Sequence, residues 1–122
     1  MVREFNFKKS YEEIKINGKV YMVDFSDEAI MNYQTSFNKF NKQKNEELSK
    51  LAENEAEFIE KAREITKDII DTILGNGSFD VIYIESGKSL FNISELIEYL
   101  AEIIGEKVES VRKEKRKKYV KK

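Results

Sequence analysis

Apolar residues in this chain follow two kinds of repeat. Between residues 11 and 25 they alternate, and from residue 27 onward they recur at three- and four-residue steps. The first pattern is that of a half-buried strand, the second that of one face of an α-helix. The alternating part splits into Tyr11–Ile16 and residues 19–25 around Asn17-Gly18. Asn-Gly suits a two-residue type I′ turn, because both central residues must take positive φ. The chain therefore predicts a β-hairpin with Ile16 opposite Lys19, Ile14 opposite Tyr21 and Glu12 opposite Val23. Ile14, Ile16, Tyr21, Val23 and Phe25 then share the core face, and Glu13, Lys15, Val20, Met22 and Asp24 the other. Phe5 and Phe7 also alternate, which makes residues 4–7 a candidate third strand.

No Gly or Pro occurs from Asp27 to Leu74. Ile30, Tyr33, Phe37 and Phe40, then Leu48, Leu51, Phe58, Ala62, Ile65, Ile69 and Ile73 keep helical spacing throughout. Ser26 reads as the N-cap, followed by Asp27 and Glu28 at the positive end of the helix. Gly75-Asn76-Gly77 reads as the stop, with Gly75 a left-handed residue just past the end. A continuous helix of this span would be roughly 70 Å long, whereas a compact domain of this size has a radius of gyration of about 14 Å. Such a helix either folds back or projects and meets a partner. Residues 41–47 hold two Asn and nothing apolar, so a turn there would produce a helical hairpin. Lys, Gln and Glu are good helix formers, however, and the expectation is one long helix.

Ser78–Glu85 contains the β-prone run Val81-Ile82-Tyr83-Ile84. Ser78 can equally cap a short helix with Asp80 in its first turn, and the short helix is the expected form. The last element starts near Ser89 and carries Leu90, Ile93, Ile97, Leu100, Ile104, Val108 and Val111. Gly105 interrupts it at a cost of about 1 kcal/mol relative to Ala, and its end frays into a basic tail. These elements describe an α+β protein, mostly α: an N-terminal β-hairpin, a long helix, a short helix and a C-terminal helix. The 122 residues suit a single domain, with a hairpin region (1–25), a helical region (26–111) and a basic C-terminal tail (112–122).

Composition narrows the chemistry. Charged residues make up 37% of the chain, as in long solvated helices. With no Cys there is no disulfide framework, and a reducing compartment is expected. The lack of His removes the commonest general base and metal ligand. No apolar run approaches a membrane span, and the N-terminus lacks the apolar core of a signal peptide. A soluble, cytoplasmic protein is the expectation. Net charge is −1, but it is unevenly spread. Residues 112–122 hold eight basic residues and one acid, a net +7, which leaves −8 on residues 1–111.

No set of residues supplies a nucleophile, an activating base and an oxyanion site together, so a non-enzymatic protein without cofactor or metal is expected. Gly87-Lys88-Ser89 resembles the end of a phosphate loop, but Ile82 stands where that loop needs its first Gly. A helix-ending Gly followed by a helix-capping Ser accounts for it. Asp68/Asp71 and Glu95/Glu98 lie one turn apart among other charges, as on a solvated face. The apolar stripe of the long helix is the candidate protein-binding surface, through Phe37, Phe40, Leu48, Leu51 and Phe58, the residues farthest from the hairpin. Arg112, Lys113, Lys115, Arg116, Lys117 and Lys118 are the candidate contact for an anionic partner.

Two stretches carry a family resemblance: FKKSYEEIKINGKVYMVDFSDE at 7–28, and DIIDTILGNGSFDVIY at 68–83, continuing through Gly87-Lys88-Ser89-Leu90 into the helix at 95–105. They resemble the tail assembly chaperones of siphophages and prophages of Gram-positive bacteria. The resemblance implies a protein that binds the long helical tape-measure protein in the host cytoplasm and keeps it soluble. It then recruits the major tail protein and is absent from the finished tail. Those two proteins would be its partners, beside other copies of itself, with no membrane and no nucleic acid. The alternative is a small nucleic-acid-binding or regulatory protein that works through the basic tail.

Overall fold

The computed structural model describes residues 1–50 and 54–120, with the side chains of all of these except 47–50 and 111–120. β1 (Tyr11–Ile16) and β2 (Lys19–Asp24) form an antiparallel hairpin in the predicted register, Ile14 opposite Tyr21 and Ile16 opposite Lys19. Asn17 and Gly18 take φ of +52° and +86°, the left-handed pair that a type I′ turn requires. The amide of Phe25 donates to the Ser10 carbonyl at 2.7 Å and extends the pairing by one step. Ile14 and Val23 are buried and Ile16, Tyr21 and Phe25 half-buried, whereas Val20 and Met22 on the outer face are exposed.

The candidate third strand at 4–7 does not form; the sheet among the described residues has two strands. Phe5 and Phe7 are exposed and meet each other edge to face, ring centroids 5.1 Å apart. Alternation holds a strand in place only where one of its faces is buried. Here the hairpin's inner face is already taken by helices.

The helical part corrects the expectation of one long helix. Residues 27–74 make two, α1 (Asp27–Lys50) and α2 (Glu55–Leu74), packed side by side. α1 passes straight through 41–47, and the chain turns back after Lys50. Asn54 marks the restart. Its side chain accepts the Glu57 amide at 3.2 Å, and its carbonyl accepts the Phe58 amide at 3.0 Å. Folding back lets the two apolar stripes cover each other, where one straight helix would leave much of its stripe in water. Lys39 on α1 pairs with Asp68 on α2 at 3.5 Å, tying the middles of the two helices together.

The junctions are closed by named groups. At the start of α1, the Ser26 hydroxyl accepts the Ala29 amide at 3.3 Å, as a cap should. Gly75 at the end of α2 has φ +111° and ψ 153°, extended backbone of positive φ that only glycine adopts readily, rather than the left-handed helical form expected. Ser78 does not cap α3 (Ser78–Glu85) with its side chain. Its hydroxyl donates back to the Leu74 carbonyl at 3.0 Å. The orphan amide of Phe79 is taken instead by the Asp71 carboxylate of α2, at 2.9 Å. At the end of α3 the Gly87 amide donates to Ile84 and the Lys88 amide to Tyr83, the paired bonds of a Schellman motif. Ser89 then caps α4 (Leu90–Val120) by accepting the Asn92 amide at 3.2 Å. Gly87-Lys88-Ser89 is thus a helix stop and a helix start. α4 carries on through Gly105 and into the basic end as far as Val120, instead of fraying there.

The fold is α+β and mostly helical. Its core is one cluster that takes Ile14 and Val23 from the hairpin, Tyr33 from α1, Ile69, Ile70 and Ile73 from α2, Phe79 and Ile82 from α3, and Ile93, Ile97, Leu100 and Ile104 from α4. α2 touches α1, α3, α4 and β2. Ile70, fully buried at the centre of this arrangement, should lose about 2–5 kcal/mol of stability as Ile70→Ala, read from the midpoint of urea unfolding. Asp71→Ala should cost about 1 kcal/mol, the value of a lost helix cap, in the same assay.

Candidate partner-binding surface

The face of α2 that enters the core is marked by Ile65, Thr66, Ile69, Ile70 and Ile73, all buried. Counting back in helical steps, Phe58 lies in line with Ile65 and Ile69, and Ile59 in line with Thr66 and Ile70. Phe58 and Ile59 are nonetheless 38% and 46% exposed. The apolar face of α2 therefore outruns its own cover near the helix start. On α1, Tyr33 is buried, and Phe37 and Phe40 are half-buried against the core cluster. Beyond them the described positions turn polar, through Asn41, Lys42, Gln43, Lys44, Asn45 and Glu46.

The sequence-predicted face is thus divided. Phe37 and Phe40 are packed largely inward, between α1 and the core, because the chain folds back over them. Phe58 keeps an open side. The Leu48 side chain and Leu51 lie outside the described residues. Ile59 was missed by a count that followed a single line of residues. The signal was the adjacent apolar pair Phe58-Ile59 at the head of α2, which widens the stripe there. Arg112, Lys113, Lys115, Arg116, Lys117 and Lys118 all fall within α4, and their side chains lie outside the description.

The remaining polar candidates have structural partners. Asp68 pairs with Lys39, and Asp71 caps α3. Between the hairpin turn and the α3–α4 junction lies a cavity of about 260 Å³, walled by Ile16, Ile82 and Leu96, with Asn17, Glu85 and Asn92 among its polar lining. Asn17 Nδ2 donates to Glu85 Oε2 at 3.3 Å, and Asn92 Nδ2 donates to the Ser86 carbonyl at 2.9 Å. Glu85 Oε1 is buried without a hydrogen bond, and Lys19 Nζ at 3.8 Å gives it an ion pair. These bonds staple the hairpin turn to α3. Burial pushes the Tyr33 hydroxyl above its ordinary value, the nearby Asp24 carboxylate adds to the rise, and a hydrogen bond with the Asp24 backbone offsets part of it. The phenol is therefore neutral at physiological pH. Among the described residues, no group of three or more His, Cys, Asp or Glu could hold a metal ion. No helix among them is long and apolar enough to cross a membrane.

Compared with known proteins, the chain matches no family model, no curated protein and no solved structure.

Replacing Phe58 and Ile59 together by Asp should leave the far-UV circular dichroism unchanged and lower stability by less than about 1 kcal/mol, because both side chains are already partly in water. Phe37→Asp should unfold the protein or cost several times as much, because it puts a charge against the core. Thermal and urea melts of the two variants test the contrast.

Proposed function

We propose that this protein is a non-enzymatic assembly chaperone for a phage tail, holding the tape-measure protein and the major tail protein until they assemble. The observation that carries the reading is the open apolar head of α2, where Phe58 and Ile59 continue the core face without being covered. A helical client can lay its own apolar stripe there, helix against helix. The rest of α2 is anchored in the core, so the contact is presented on a rigid element at little ordering cost. The high charge of the chain favours solubility of such a complex. The resemblance of residues 7–28 and 68–83 to tail assembly chaperones names the client, and the host cytoplasm is where that client is made.

The test is co-expression with the tape-measure protein and major tail subunit of the same gene cluster, followed by pull-down and light scattering. The wild-type chain should retain the tape-measure protein in the soluble fraction. The variant with Phe58→Asp and Ile59→Asp should recover at least about tenfold less of it, since each buried apolar side chain contributes about 1.5–3 kcal/mol. Leu48→Asp with Leu51→Asp should act in the same direction. Client recovery that is unchanged in both variants, with folding intact, overturns the reading.

A further inference from the structure

The outward side of α4 is a charge pattern rather than a random polar surface. Phe91, Glu95, Glu98, Glu102, Glu106 and Glu109 follow one another at steps of four, three, four, four and three residues. That spacing keeps them on one face of the helix, and all six are exposed. Ile93, Ile97, Leu100 and Ile104 fill the opposite, buried side. Among the described residues, none of the five glutamates has an ion pair or a hydrogen bond. The one cation of the stretch, Lys107, is turned elsewhere, with its Nζ 5.6 Å from the centroid of the Phe25 ring. Like charges one turn apart destabilise a helix that carries them alone.

Past Glu109 the sign inverts. The same steps continue to Lys113 and Arg116, flanked by Arg112 and Lys117, on a helix that is unbroken to Val120. Five acids and then a basic block therefore occupy one line of a single helix. The two blocks cannot meet within one chain, because the centres of the blocks are held roughly 20 Å apart by the helix itself. Gly105 lies on this same outward line, between Glu102 and Glu109, and is exposed. A Cβ placed on it would meet nothing within 4 Å, so packing inside the chain does not call for glycine there. Glycine in a helix interior is unfavourable relative to alanine. On an outward face, it lets a second backbone approach closely.

We propose that α4 is the dimer contact of this protein, packing antiparallel against α4 of a second copy so that the glutamates of each face the basic end of the other. Parallel packing would set acid on acid and base on base. A two-fold axis near the change of sign satisfies both blocks at once, as an isologous contact does. A nucleic acid lying along the basic end would run against the glutamate face on the same helix, so a second copy fits the pattern better. This contact uses a different surface from the α2 head and stands whether or not the client is a tail protein.

Sedimentation equilibrium of the full chain tests it. The wild type should dimerise at low ionic strength, with its Kd weakened at least about tenfold between about 0.05 and 0.5 M salt as the screening length shortens. Two block reversals, Glu102→Lys with Glu106→Lys and Glu109→Lys, and Lys113→Glu with Arg116→Glu and Lys117→Glu, should each be monomeric. All positions are on the outward line or beside it, and unchanged helical circular dichroism confirms that the variants fold. A chain carrying both reversals should recover the dimer, since its unlike blocks again face each other across an antiparallel contact. A wild-type monomer at low salt overturns the proposal. So does a dimer that survives either single reversal, or a double reversal that stays monomeric while folded. Tight duplex DNA binding by a monomeric wild type would overturn it in favour of a polyanion partner.

Discussion

The packing of the α2 apolar face is the interaction on which the rest of the structure depends. Ile65, Ile69, Ile70 and Ile73 spread over a wide arc of the helix, and all are buried. That breadth lets one helix serve α1, α3, α4 and the hairpin together. Each fully buried isoleucine contributes about 1.5–3 kcal/mol, so the four together are comparable with the whole stability of a domain of ordinary size. A two-stranded hairpin is marginal in water by itself. Here it persists because Ile14 and Val23 enter the same cluster as the α2 isoleucines.

Around that centre, the polar groups are committed to closing the ends of elements. Ser26, Asn54 and Ser89 each cap a helix with the side chain, and Asp71 reaches from one helix to the first amide-bearing turn of another. Glu85 holds the hairpin turn through Asn17 and Lys19. An unmade bond at such a buried or half-buried end costs more than a made one contributes. Much of what reads as scattered polar chemistry is therefore junction. The groups left over lie toward the extremities: the start of α2, with two apolar residues open, and the outward side of α4, with five unpaired acids.

Legibility followed the range of the forces involved. The hairpin register was readable because Asn17-Gly18 sets it locally and Ile14, Tyr21 and Val23 then fall on one face. The caps at Ser26 and Ser89 were readable for the same reason, as was α3, whose ends are marked by glycines at 77 and 87. The break between α1 and α2 was also written locally, in Asn54 with Glu57 three residues on, a cap signature that an unbroken apolar spacing conceals. The third strand at 4–7 was not decidable from its alternation, because Phe5 and Phe7 find no core to enter.

The sequence by itself determined the element types, the hairpin register, the two-signed charge of the chain and the lines of residues that share a helical face. Turn chemistry and helical or strand periodicity act over a few residues, and they are visible without a fold. Only the tertiary structure decided which of those lines is covered. Phe37 and Phe40 turned inward once α1 folded back on α2, while Phe58 and Ile59, on the same face as the core isoleucines, kept an open side. It also decided that Asp71 is a cap and that the α4 glutamates have no partner within the described chain. Those outcomes depend on what lies across a gap in space, and contacts between residues far apart in sequence leave no local pattern from which to read them.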